Sequence, residues 1–290
     1  MKEEKVRFRQ VMSEGYSIYK DNFKLLFMFA IISGCFTLTT TILDSIRDRL
    51  DIAGVSIIIS LFSFGISIIS IYYLGRLAIG MYLAIANIYH NREVTFTEMY
   101  DKGQPLFWSY FGTRLVAGLM FIIPMVVIII GSVLLYMNLR VTSPYTDYNL
   151  GASTVLLIIG VVMIIVGAIG VIFLFYKLSM LTSIIILDTK EKSQINKSFK
   201  LSKANASLII PLIIVMIFPY LIILGLDTGI KSLIGANFAS STIISIIATI
   251  SMALLQPLFA ANFVVIFFNL SETSDFEEVE TIETNKLVAE

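Results

Sequence analysis

Six apolar runs, each long enough to cross a bilayer, constrain this chain of 290 residues more than any other feature. A spanning helix needs roughly 20 mostly apolar residues. The runs cover Lys24–Leu43, Ile52–Leu74, Leu106–Met137, Ser153–Tyr176, Ala206–Leu226 and Ser241–Leu270. They leave no stretch for a soluble domain. Charged residues make up 14% of the chain, against roughly 25% in soluble domains. The fold class expected is all-α integral membrane, with a single six-span domain over residues 1–270. The third and sixth runs exceed the bilayer, and Pro124 and Pro257 offer places to kink.

Basic residues give an orientation, because Lys and Arg near spans are retained on the cytoplasmic side. With the N-terminus inside, the outer loops hold only Arg47, Arg49, Arg140 and Lys231. Arg76, Arg114 and Lys177 lie near span ends, and the other fourteen basic residues fall on the cytoplasmic side. Both termini are therefore expected in the cytoplasm. Tyr72, Tyr73, Trp108 and Tyr110 suit the inner interface, and Tyr136, Tyr145 and Tyr148 the outer one. The net charge is zero, so no global field points to nucleic acid.

A short signature recurs before the first, third and fifth spans: Ile18–Asn22, Tyr100–Gln104 and Leu201–Asn205. Each has a lysine third and a side-chain amide fifth. A shift of 101 residues lays Lys102 on Lys203 and Arg76 on Lys177, and a shift of 183 lays Lys20 on Lys203. The chain reads as three parallel helical-hairpin repeats, at about 10–90, 91–190 and 191–270. The lysine suits a headgroup position, with its stem buried and its ammonium wet. Asn or Gln is expected to serve exposed N–H groups at the start of the following helix. The ordinary reading is an interfacial lead-in to each span. The sharper one is a phosphate-holding site built from Lys20, Arg76, Lys102, Lys177 and Lys203.

Residues 52–90 as one helix would be about 58 Å long, against about 30 Å of hydrocarbon. Leu77–Ile88 is therefore expected to bend onto the cytoplasmic interface or extend beyond it, and Leu178–Leu187 to do the same. Such cytoplasmic interfacial helices would form a collar.

Intramembrane polar candidates are few: Gln256 and Asn262, with Pro257 beside the first. Either they line a cavity or moving seam between the last two spans, or they are packing glue. Gly160, Gly167 and Gly170 read as close-packing positions. No acidic residue sits at mid-span, which weighs against a proton-coupled carrier. No phosphate loop, paired-His metal motif or hydrolytic constellation is present, so no cofactor, metal or catalytic residue is expected. The lone Cys35 closes a lipoprotein-like box, Ile32–Cys35, but the apolar continuation through Leu43 favours a cysteine inside the first span. Asp44, Asp48 and Asp51 near Arg47 and Arg49 read as a solvated outer loop. Residues 271–290 read as an acidic, disordered cytoplasmic tail.

The segments "EGYSIYKDNFKLLFMF" (14–29) and "INKSFKLSKANASLII" (195–210), with the hairpin order, resemble a bacterial family of stand-alone six-span proteins. That family is similar to the membrane domain attached to some glycerophosphodiester phosphodiesterases. The resemblance covers most of residues 10–270, but the phosphodiesterase barrel has no counterpart. It implies a non-catalytic accessory protein of the cell membrane, in a context of peptide export or self-protection. Expected partners are membrane lipids and an ABC-type exporter or another membrane protein, without nucleic acid. Two functions follow: binding of anionic lipid or a partner complex, and transport of an amphipathic or peptide substrate. Packed amides at Gln256 and Asn262 favour the first; a water-accessible cavity between them favours the second.

Overall fold

The structure, a computed structural model, describes residues 7–47, 53–141, 150–190, 193–234 and 238–270. Among them the secondary structure is α-helical, with no strand. In chain order the helices are α1 (Phe8–Asp21), α2 (Phe23–Arg47), α3 (Ala53–Tyr89), α4 (Phe96–Lys102), α5 (Phe107–Met120), α6 (Ile122–Val141), α7 (Leu150–Leu178), α8 (Leu181–Leu187), α9 (Gln194–Ala204), α10 (Ala206–Ile234) and α11 (Phe238–Leu270). Six segments are long and apolar enough to cross a membrane: Phe23–Leu43, Ile57–Tyr89, Phe107–Asn138, Thr154–Leu187, Ala206–Ile230 and Thr242–Leu270. The chain is an all-α, multi-pass membrane protein. Three hairpins carry the spans, α2–α3, α5/α6–α7 and α10–α11, and each follows one short helix: α1, α4 or α9.

The helix breaks follow local chemistry. The third apolar run is two helices, separated by a turn at Phe121. Pro124 thereby falls in the first turn of α6, where its missing N–H would have had no partner within the helix. Pro211 and Pro219 lie inside α10, and Pro257 inside α11. Cys35 sits within the continuous helix α2, unpaired and exposed. Asp48, Arg49, Asp51, Tyr145, Tyr148 and the tail from 271 onward lie outside the described residues.

Of the two courses expected after Arg76, a bend or a straight extension, the chain takes the extension. α3 runs unbroken over 37 residues. Its final turns are packed: Leu77, Ile79, Leu83, Ala84, Ile85 and Ala86 are all buried. In the second unit the chain does break, at Ser179 and Met180, and α8 is then buried along nearly its whole length. The last unit supplies Ala260–Phe267 of α11 to the same core. These apolar tails are thus the core of a collar and do not lie as surface helices. Burial of each such side chain is worth about 1.5–3 kcal/mol, which makes straight extension into a packed core better than lying at an interface.

The collar is a ring. α4 packs on the end of α3, α9 packs on α7 and α8, and α1 packs on α11. Each short helix therefore sits on the second arm of the preceding hairpin, and the first helix of the chain closes onto the last. Beyond the collar the spans are unequal in their neighbours. α2 packs along both α3 and α11, whereas α6 and α7 pack chiefly on each other. Their seam is close: a Cβ added at Gly131 would stand 2.7 Å from the carbonyl oxygen of Gly160. Only glycine at such crossings lets two backbones approach this far.

Candidate functional site

The three signature lysines occupy equivalent places. Lys20, Lys102 and Lys203 each lie in the last turn of their short helix, α1, α4 or α9. The amides behave differently from expectation. The Asn22 side chain donates to the Ile18 carbonyl at 3.2 Å, and that of Asn205 to the Leu201 carbonyl at 3.1 Å. Each amide thus adds a second donor to a last-turn carbonyl that its own backbone N–H already reaches, and its side chain does not cap the next helix. The two residues share one backbone conformation, φ −115° and ψ 26° for Asn22, φ −119° and ψ 33° for Asn205. The middle unit departs from this. Gly103 ends α4, and exposed Gln104 lies in the turn before α5.

Arg76 and Lys177 occupy the same register at the hairpin ends, and each is only 8% exposed. Arg76 is engaged with α4 through one terminal nitrogen and its face, while its Nε–H is buried without a partner. Its guanidinium donates to the Tyr100 carbonyl and to Asp101 Oδ1, both at 3.3 Å, and stacks 4.0 Å from the centre of the Tyr100 ring. Burial raises the Tyr100 hydroxyl pKa above its ordinary value, while Arg76 pulls it the other way. Tyr100 therefore offers Arg76 a neutral ring, and the carboxylate of the cluster is that of Asp101. Its carboxylate is largely exposed and Arg76 is not. Lys102 is paired as well, with Glu98 one turn earlier at 3.1 Å.

Lys177 is held by backbone and rings alone. Its carbonyl accepts from Ser198 Oγ at 2.8 Å and from Ser202 Oγ at 3.3 Å, which seats α9 against α7. Its ammonium lies 5.1 Å from the centre of the Tyr176 ring and 5.6 Å from that of Phe173. No carboxylate among the described residues pairs with it. The nearby acid Asp188 is bound instead by Lys197. The 101-residue shift that carries Arg76 onto Lys177 also carries Asp101 onto Ser202. The acid that neutralises the first cation is a hydroxyl beside the second.

The intramembrane amides do not converge. Asn262 is fully buried, and its side-chain nitrogen donates to the Leu258 carbonyl at 2.9 Å. It lies against Gly15 of α1, where an added Cβ would be 2.4 Å from its Oδ1. Gln256 is exposed, six residues earlier. Asn262 is a seat for α1, whereas Gln256 stands exposed on another side of α11. Lys20 and Lys203 are exposed. Among the described residues, no group of His, Cys, Asp and Glu could hold a metal ion.

Two features went unassigned by sequence reasoning. Arg114, in α5, donates to Thr182 Oγ1 of α8 and lies over the Tyr110 ring at 5.3 Å, tying two elements of the collar together. An apolar trough of about 390 Å³ runs along the α6–α7 seam, lined by Met120, Ile123, Val127, Val166, Phe173 and Leu174 over Pro124, Gly167 and Gly170. Comparison with known proteins finds no match to the chain among family models, curated proteins or solved structures.

Proposed function

We propose that the protein is a non-catalytic membrane protein that retains anionic lipid at its collar, through Lys177, Lys20 and Lys203. The observation that carries this reading is the contrast at one register: buried Arg76 has its carboxylate, and equally buried Lys177 has none. The Lys177 side chain is largely enclosed yet has no acid to pair with, and an external phosphate would supply that charge-assisted partner. Arg76 and Lys102 drop out of the binding set because Asp101 and Glu98 already hold them. The packing of Asn262 against Gly15 favours binding over transport, since the amide faces protein and not a water-filled path.

In this reading the collar faces the cytoplasm, with both termini on that side, as the bias of Lys and Arg requires. Single cysteines introduced at positions 203 and 231 check it with an impermeant thiol reagent. Labelling from outside is expected at 231 alone, and labelling at 203 contradicts the orientation. For the lipid, native mass spectrometry of the detergent-purified protein is expected to show phosphatidylglycerol retained in preference to phosphatidylcholine. The triple variant Lys20→Gln, Lys177→Gln, Lys203→Gln loses that preference while keeping its melting temperature within a few degrees. Equal retention of both lipids by the natural sequence contradicts the proposal.

A further inference from the structure

The apolar trough and the unpaired lysine lie on one stripe of α7. Val166, Gly170, Phe173 and Lys177 follow each other at spacings of four, three and four residues, so they share a helix face. The Phe173 ring joins the two: it lines the trough, and the Lys177 ammonium lies 5.6 Å from its centre. From Val166 to Lys177 the stripe is about 16 Å long at 1.5 Å per residue, close to half of the roughly 30 Å hydrocarbon core. A trough of this length, ending at a cation, has the dimensions of one leaflet.

We infer that the α6–α7 seam is a binding site for a single anionic phospholipid, with its phosphate at Lys177 and one acyl chain laid along the trough toward the bilayer midplane. This rests on the collar reading above and adds where the chain goes. Charge fixes the class of occupant. Lys177 is nine-tenths buried and lacks an anion, while the trough beside it is walled by apolar side chains. A zwitterionic lipid brings its own cation to the same spot, and a soluble phosphate leaves the trough unfilled. The close approach of the helices at Gly167 and Gly170 forms the floor: a Cβ added at Gly167 would stand 2.8 Å from the Pro124 carbonyl oxygen. Because lipid tails are as apolar as the protein wall, the chain contributes shape and van der Waals contact and no hydrophobic transfer. Lys177 and the wall therefore act together, and neither alone defines the site.

The test separates headgroup from chain. Retention of phosphatidylglycerol is measured by native mass spectrometry for the natural sequence, for Lys177→Gln and for Val166→Trp, which fills the trough from an exposed position. Lys177→Gln is expected to weaken retention about fivefold, the equivalent of about 1 kcal/mol for one basic group near the anionic surface. Val166→Trp is expected to weaken it about threefold by denying the chain its contacts, without altering the preference for anionic over zwitterionic lipid at the remaining lysines. Glycerophosphoglycerol, the headgroup without chains, is expected not to be retained. Circular dichroism melting of each variant guards against loss of fold, and Val127→Trp, from the opposite wall, repeats the arm if Val166→Trp fails to fold. A natural protein without anionic preference defeats the collar reading itself. Intact preference with unchanged retention in both wall variants defeats the trough alone.

Discussion

Arg76 and Lys177 stand at matching points of the first and second hairpins, equally buried, and differ in what answers their charge. Around Arg76 the protein supplies a counter-charge: carboxylate, carbonyl and ring all come from α4, with the Nε–H left unpartnered. Around Lys177 it completes only the backbone. Two serines of α9 hold the carbonyl, two rings flank the ammonium, and no acid follows. The first junction pairs its cation with an acid of the chain, and the second does not.

The largest expected effect lies at the seat of α9. Ser198 is fully buried, and Ser198→Val removes its hydrogen bond to the Lys177 carbonyl while adding bulk at a tight contact. Thermal unfolding in neutral detergent is expected to show a loss of about 2–4 kcal/mol. A smaller change, about 1 kcal/mol, is expected for Ser198→Ala, which loses the bond alone.

The paired comparison of Arg76→Met with Lys177→Met is sharper. Arg76→Met strands Asp101, but that carboxylate is two-thirds exposed and water takes it up. The loss is therefore about 1–2 kcal/mol, including the stacking on Tyr100, well short of a fully buried pair. Lys177→Met gives up a cation that has no carboxylate partner, so in lipid-free neutral detergent its melting temperature is expected to stay level or rise. A destabilisation as large as that of Arg76→Met would mean that Lys177 has a partner within the chain. The smallest effect is at Lys102, whose pair with Glu98 is partly exposed: Lys102→Gln is expected to shift stability by no more than about 0.5 kcal/mol.

Much of the architecture was legible. The fifth and sixth spans begin and end within a few residues of their expected limits, because apolar length is a strong signal. The three signature lysines each lie in the last turn of a short helix, just before a span, as the recurring signature suggests. Other features depended on partners that a local reading does not supply. Leu77–Ala86 looked like surplus length for a bilayer and became core, because α2, α4 and α11 cover it. Asn22 and Asn205 were assigned to the wrong helix end, since an amide at a junction can serve either side. Gly167 and Gly170 were legible as close-packing residues, but the trough above them required the pairing of α6 with α7. One signal was in reach: the alignment that matched Arg76 with Lys177 also matched Asp101 with Ser202.

The most direct measurement uses phosphatidylglycerol carrying a photoactivatable group in its acyl chain, cross-linked to the protein in vesicles and mapped by peptide mass spectrometry. The account predicts adducts concentrated on Ile123, Val127, Val166 and Leu174, and their loss in Lys177→Gln. Adducts spread evenly over equally exposed span residues such as Ile57, Leu61 and Phe64 of α3, unchanged by Lys177→Gln, would contradict it.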